Sequence, residues 1–554
     1  MKRIALRSDP TDNVGVALVD LAAGTAVELD GLPAIELSDA VAQKHKFAIE
    51  PMPTGSLARM YGVTVGRTTA DVSAGGALTT DNLEHVADGF GVTDKGAQPA
   101  WVRPDISGYA ERTFDGYKRS NGTAGTANHW LIIPLVFCEN RNLRVLESSL
   151  NRALGITEPL SRYDMFAAQL GAAFREGGAD SAKEIGLGQN DSTSKSGRLL
   201  EHFDGVRSLV HTLGCGGDPR DSHTLCGLLA GYICHPNVAG ATVLSLGCQH
   251  AQVQILQDEI ARRDPNHDRP VLIYEQQQFG SENEMMERAI RESFLAITET
   301  VSEHRREPQT LDKLVIGVEC GASDGFSGIS ANPAIGGVAD RCVALGGSAI
   351  LSEFPELCGV EQEFVNRCEE PAVAQKFVDL MRSYGAAAEA SGSGFDMNPS
   401  PGNVQDGLIT DAIKSAGAGK KGGTSPVTDV LDYPEQVRRP GLNLMCTPGN
   451  DVESTTAMAG AGANLMLFST GLGTPTGNPI SPVLKVSSNH ATAERHSDMI
   501  DFDTGDIIDG SQSVDGSAQA LLDLVIEVAS GRTTTRADQL GQHDFQPWKR
   551  GVSL

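Results

Sequence analysis

Short apolar runs of strand length recur along most of this chain, and each leads into a helical pattern or a loop of glycine and small polar residues. From Thr113 onward the runs are Leu131–Phe137, Thr242–Leu246, Val271–Glu275, Leu314–Glu319, Ala349–Ser352, Leu442–Met445 and Leu465–Ser469. Helical stretches lie between them, for example Met285–His304, whose apolar positions fall on one face. This alternation is the signature of α/β units built on largely parallel sheets. The first ninety residues have a different texture. Strands at Val14–Val19, Lys46–Ile49 and Ala58–Met60 are separated by turn signals at Ala23–Gly24, Asp30–Gly31 and Thr54–Gly55. The predicted class is therefore α/β, with a small N-terminal β module over 1–91 and two α/β domains over 112–305 and 306–554. The polar stretch around Pro99 and Pro104 reads as a linker, 92–111, and the second cut falls in the polar segment RREPQTLD.

Charge and cysteine usage narrow the function classes. Lys and Arg number 45 against 71 Asp and Glu, a net charge of −26, which argues against nucleic acid or an anionic membrane as the main partner. No signal-peptide pattern precedes Asp9–Pro10, and the longest apolar run, Trp130 to Cys138, is far short of the ~20 residues of a membrane span. The ten cysteines form no compact disulfide framework, so reduced thiols in a cytoplasmic protein are expected. A homodimer is the base-rate expectation for its assembly.

Several apolar runs end in cysteine: LIIPLVFC at Cys138, LVHTLGC at Cys215, TVLSLGC at Cys248, LVIGVEC at Cys320 and GLNLMC at Cys446. Ligands of open α/β sheets bind beyond the carboxyl ends of the strands, so thiolates placed there would converge although distant in sequence. Three thiolates with one open position would hold iron, alone or in a cluster, as a Lewis acid. Cysteine is also among the most buried residue types, and spacing alone leaves both readings open. The adjoining loops are rich in small polar residues. After Cys320 comes GASDGFSGISANPAIGG, with Asn332 and Pro333 placed to start a helix running toward Leu345. Its Ser323, Asp324, Ser327 and Asn332 suit the hydroxyls of a polyol, and the helix start suits a carboxylate. MNPSPGN (397–403), TPGNDVES (447–454) and STGLGTPTGNP (469–479) are similar loops. Other features are weaker. His223, Cys226, Cys234 and His235 read as a core helix, and GAGKKGG (417–423) reads as a mobile loop without the phosphate-loop pattern. His45 and Lys46, at a loop-to-strand junction, would supply a proton donor and an anion contact, or serve structure alone.

Glycine is in excess, 62 of 554 residues, and aromatics make up only 5%. Much of that glycine lies in the same strand-end loops, as a site built from backbone for a small, hydroxyl-rich anion requires.

The ordered motifs DNVGVAL, KHKFAI, MYGVTVGRT, FDGYKRSNGTAGTANHWLIIPLVFCEN, HTLGCG, LGCQ, ECGASDGFSGISANPAIG, NPSPGN and TPGNDVES…STGLGTPTG resemble the altronate/galactarate dehydratase family along nearly the whole chain. The resemblance implies that the N-terminal module is a SAF (β-clip) domain and that the activity is removal of water from a sugar acid. VFCENRNL and the TPGND loop look closer to the altronate members. It further implies a divalent metal, Fe(2+) first and Mn(2+) second, with an iron–sulfur cluster as the alternative. A subset of Cys138, Cys215, Cys248 and Cys320 would bind it. His45, closing over the site from the SAF module, and His211 would move protons, and Lys46 would be base or anion partner. Ser323, Asp324, Ser327, Asn332, Asn398, Ser400 and Asn403 would hold the substrate. Galactarate dehydratase, a sulfo-lyase of the same family and a silent sugar-acid binding protein are the competing readings.

Overall fold

The computed structural model of the chain describes residues 3–96, 100–156, 162–186 and 197–551. Its centre is a seven-stranded sheet in the order Val427–Leu431, Gly441–Met445, Ser348–Leu351, Val315–Cys320, Leu465–Thr470, Val483–Ser487 and Phe502–Asp503. Every neighbouring pair is parallel. Strands such as Gly441–Met445 and Leu465–Thr470 are buried at every residue, which is why they read as unbroken apolar runs rather than as alternations. A second, four-stranded parallel sheet has the order Gly205–Ser208, His129–Pro134, Val238–Ser245 and Val271–Glu275. The fold class is thus α/β, with a small antiparallel module in front whose main sheet is Ala5–Leu6, Val14–Ala17, Lys46–Ala48 and Ala77–Leu78.

The two parallel sheets share one core. Leu131, Ile133 and Val243 of the smaller sheet, Leu225, Leu228 and Tyr232 of helix Pro219–Ile233, and Met458, Met466 and Phe468 of the larger unit form one buried cluster. That helix is amphipathic on no single side because it is covered on both. At Gly231 an added Cβ would lie 2.2 Å from the Gly460 carbonyl, so only glycine permits this approach. The helix is capped by Asp218, whose side chain accepts from Asp221 N at 3.0 Å.

Local expectations change at several places. The run ending at Cys215, residues 209–215, is a loop and not a strand: the strand Gly205–Ser208 ends just before it, and His211 Nε2 meets Pro134 O at 2.9 Å. The helix expected from Pro333 runs Ala331–Ala344, so Asn332 lies within its first turn and Ser330 precedes it. The segment 417–423 is no mobile loop. Helix Asp411–Gly419 passes into a short turn, Lys420–Gly422, with Lys421 1% exposed. The segment expected as a linker makes a short turn at Val92–Asp94 and is tied to the C-terminal unit by Gly91 N to Gln362 and Lys95 Nζ to Cys368 O; Pro99 lies outside the described residues. No helix among the described residues is long and apolar enough to cross a membrane.

Polar side chains join the two sheets. Asn237 donates to Ile480 O (2.8 Å), Thr126 Oγ1 (3.1 Å) and Asn464 O (3.2 Å) and accepts from Thr126 N (2.7 Å). Asn464 in turn accepts from Val315 N and donates to Ala124 O and Lys313 O. Asn237→Ala strands several buried partners at once and is expected to cost about 2–4 kcal/mol, measured as a lowered denaturant midpoint.

Candidate active site

Functional side chains gather beyond the carboxyl ends of the large sheet, where chain reversal leaves them free of the strand ladder. Strand Val315–Cys320 ends in Glu319 and Cys320; Glu353 and Glu356 follow strand Ser348–Leu351; Asp451 and Ser454 follow Gly441–Met445. Cys320 Sγ is 3.3 Å from Glu356 Oε2 and 3.6 Å from Glu353 Oε2. Lys421 Nζ pairs with Glu353 at 2.9 Å and Lys414 Nζ with Glu356 at 2.7 Å. Lys414 also donates to Asn398 Oδ1 (2.8 Å), whose Nδ2 donates to Glu356 Oε1 (3.3 Å). Glu319 Oε2 accepts from Ser454 Oγ (2.6 Å) and Ser352 Oγ (3.1 Å), while Oε1 finds no N–H or alcohol donor.

Burial sets the protonation pattern. Desolvation, reinforced by neighbouring Glu353, pushes Glu319 well above the usual carboxylate range, so it keeps its proton and turns it toward Glu353. Burial also raises Asp451 to about 7. Glu356 goes the other way: burial opposes its charge, but Lys414 and Lys421 outweigh burial and hold it ionised. A protonated acid and an ionised carboxylate therefore stand in one cluster with two ammonium groups, as proton-transfer chemistry requires. Two donor sets here bring their ligand atoms within 4.8 Å of one another: Cys320, Glu353 and Glu356, and Glu319, Glu353 and Asp451.

The N-terminal module docks beside this cluster. Lys44 Nζ reaches Asp324 (3.0 Å) and Asp406 (2.9 Å). Burial disfavours the Lys44 charge, yet the two carboxylates more than compensate and raise its pKa. Lys44 O fits against Gly325 and Gly407, where an added Cβ would stand 2.6 and 2.4 Å away. His45 Nε2 lies 3.1 Å from Gln405 O. Lys46 is completely buried and donates to Gly407 O (2.5 Å) and Lys44 O (3.0 Å). Of the four non-glycine residues with positive φ among those described, Lys44, Ala322 and Glu353 border this region (φ 72, 51 and 64). Strain of that kind persists where surroundings over-determine it.

The residues expected to hold a polyol are mostly occupied by one another. Asp324 Oδ1 accepts from Ser327 Oγ (2.8 Å) and Ser488 Oγ (2.9 Å), and Oδ2 from Asn489 and Lys44. Asn332 donates to Gly417 O and accepts from Ser469 Oγ (2.6 Å). Ser400 and Asn403 form a capping box for the short helix Pro401–Gln405, and Asn403 Nδ2 also donates to Ser323 O. Only Asn398 touches the carboxylate cluster. Of the four cysteines, Cys320 lies in it; Cys138, Cys215 and Cys248 are exposed on loops of the smaller sheet. Those loops are knit together, Phe137 N donating to Leu213 O and His250 N to Gly214 O. His211 is buried with both ring nitrogens engaged, Leu213 N donating to Nδ1, and burial lowers its pKa to about 4. Lys44, Glu319, Glu353, Glu356, Lys414, Lys421 and Asp451 were not singled out as site residues, although Asp451 lies in the loop TPGNDVES, Lys421 in GAGKKGG and Glu319 at the end of a named run.

Three family models together match almost the whole chain: an altronate/galactarate dehydratase SAF domain over residues 3–86, a D-galactarate dehydratase/altronate hydrolase second domain over 116–300, and a D-galactarate/altronate dehydratase C-terminal domain over 311–553. The altronate dehydratase of Escherichia coli (strain K12) is 33% identical over 553 residues, 98% of each chain. That of Bacillus subtilis (strain 168) is 32% identical over 548 residues, again 98% of each. The galactarate dehydratase (L-threo-forming) of Escherichia coli is 26% identical over 546 residues, 96% of this chain and 94% of its own.

Lys46 gives this region a pH signature. Desolvation, partly opposed by Asp324, lowers its pKa from 10.5 to about 7. Between those values the unfolded chain binds a proton that the folded chain does not, so stability rises with pH across the window and the gain is lost as pH falls to 7. Denaturant titrations from about pH 7 to 9 are expected to show the parent gaining on Lys46→Met by up to about 1.4 kcal/mol per pH unit.

Proposed function

Because the chain belongs to the altronate/galactarate dehydratase family, we propose that it is a hydro-lyase converting D-altronate to 2-dehydro-3-deoxy-D-gluconate and water at the carboxyl edge of the large sheet. The higher, end-to-end identity to the two altronate dehydratases than to the galactarate enzyme supports the choice of acid. The observation that carries the site is the cluster of Cys320, Glu353 and Glu356 with Lys414 and Lys421. We take the enzyme to act as a cytoplasmic homodimer, the commonest closed assembly of soluble enzymes.

The reaction removes a proton from C2 and hydroxide from C3, leaving an enol that ketonises. The C2 proton lies α to a carboxylate, so the enediolate that forms needs fixed positive charge in a water-poor site. Lys414 and Lys421 supply it. Glu356, kept ionised by those lysines, is the base we assign to the C2 proton, through the carboxylate oxygen that it would not give to a metal. Glu319, kept protonated by burial, holds a proton that Glu353 can relay. His45, whose Nε2 meets Gln405 O at the end of the short helix Pro401–Gln405, is the donor we assign to the departing hydroxide. Lys46, tied to two carbonyls, and His211, sealed in the other unit, serve the scaffold in this reading.

Cys320, Glu353 and Glu356 offer one sulfur and two carboxylates, a mixed set that suits Fe(2+), with Mn(2+) the harder alternative. An ion held there would act as a Lewis acid toward the enediolate. A second metal reading rests on the three exposed thiols Cys138, Cys215 and Cys248 on hydrogen-bonded loops, a set that suits an iron–sulfur cluster.

Anaerobic purification, iron and acid-labile sulfide analysis, and 2-keto-3-deoxy acid formation from a panel of sugar acids test all of this. D-Altronate is expected to turn over fastest, with activity lost on chelation, restored by Fe(2+), and no sulfide released. Sulfide that disappears in Cys138→Ser selects the cluster instead. Full activity without transition metal refutes both metal sites, and preference for galactarate refutes the substrate. Glu356→Gln is expected to lower kcat by about 10²-fold or more.

A further inference from the structure

A separate group of ligating side chains lies where the N-terminal module meets the C-terminal unit. His85 follows strand Leu83–Glu84, Cys358 closes the turn Phe354–Leu357, and Asp411 opens helix Asp411–Gly419. One ligand atom from each lies within 4.8 Å of the other two. Asp411 is 2% exposed; Ser415 Oγ reaches its Oδ1 at 3.4 Å and the Cys358 thiol hydrogen-bonds its carboxyl, while Oδ2 finds no N–H or alcohol donor. A buried carboxylate met by donors this weak is costly and calls for an explanation. Here the groups around it are an imidazole and a thiol.

We propose that His85, Cys358 and Asp411 form a binding site for a borderline transition-metal dication of the zinc type, which clamps the N-terminal module to the helix that carries Lys414. One nitrogen, one sulfur and one oxygen donor make a three-residue set that leaves a fourth tetrahedral position for water. The thiol and the carboxyl release their protons on binding, so the dication is neutralised by its own ligands. Glu356 and Lys414 also face Asp411, and they cancel as an ion pair. The seam is already close. Thr410 Oγ1 donates to Val65 O at 2.8 Å, and Gly359 packs between Ala87 and Ala412. Ala412 N lies 3.3 Å from His85 Nδ1, a long contact that orients the ring and that a metal bond would replace.

The test uses the full chain carrying Cys320→Ser together with Cys138→Ser, Cys215→Ser and Cys248→Ser, so that neither an ion at the carboxylate–thiol cluster nor one on the exposed thiols can supply the signal and the outcome is independent of the proposed activity. After chelation, titration with Co(2+) is expected to give a thiolate-to-cobalt absorption band, uptake of about one equivalent, and a raised Tm. Adding Cys358→Ser or His85→Gln is expected to abolish the band and the Tm shift. In the parent protein, Zn(2+) is expected to protect Cys358 from alkylation, read by peptide mass spectrometry, which needs no variant to fold. No band in the chain so substituted, an unchanged band after Cys358→Ser, or equal Cys358 labelling with and without Zn(2+) overturns the site.

Discussion

Two buried ammonium groups hold the working edge of this protein together. Glu319, Cys320, Glu353 and Glu356 are all taken out of water at the ends of parallel strands, and burying a carboxylate costs several kcal/mol unless its charge is met or discharged. Both remedies are present. Glu319 is discharged by keeping its proton, and Glu353 and Glu356 are met by Lys421 and Lys414. Those lysines come from one short stretch, helix Asp411–Gly419 and the turn behind it, so the position of a single nine-residue helix fixes the electrostatics of the whole cluster.

That helix does not stand alone. Its N-cap residue, Thr410, bonds to the N-terminal module, and the same module inserts Lys44 between Asp324 and Asp406. Asp324 is in turn the meeting point of the loop after Cys320 and the strand end at Ser488 and Asn489. The left-handed backbone at Lys44, Ala322 and Glu353 lies along this line of contacts. Order at the carboxylate cluster and docking of the β module are therefore aspects of one packing arrangement.

The parallel strands were legible because burial on both faces leaves an apolar run that needs no partner to be recognised; the run Leu465–Ser469 lies within the strand Leu465–Thr470, buried at every residue. The loops after the strands were legible as a region, because chain reversal at a sheet edge demands glycine and small polar side chains. Which of those side chains face a ligand was not legible. Asp324 and Asn332 have the chemistry of polyol contacts and spend it on Ser327, Ser488, Gly417 and Ser469. Lys421 was misread for a related reason. Lysines flanked by glycines resemble an exposed loop, and the partner that justifies burial, Glu353, is 68 residues away. Cys320 and Cys138 end similar apolar runs, yet one is sealed among carboxylates and the other is exposed, a difference made by the neighbouring loops.

The short antiparallel ladder that pairs Thr113–Lys118 with Glu307–Thr310 has a topological consequence. Phe114 sits opposite Gln309 and Gly116 opposite Glu307, so the chain enters and leaves the smaller α/β unit through adjacent strands about 4.8 Å apart. Everything between is an excursion from one hairpin-like stem. A unit tethered that way can lengthen, shrink or exchange over evolution without moving the strands that follow it, because closing the stem with a turn demands little loop entropy. The shared core beneath helix Pro219–Ile233 is then what ties the history of one unit to that of the other.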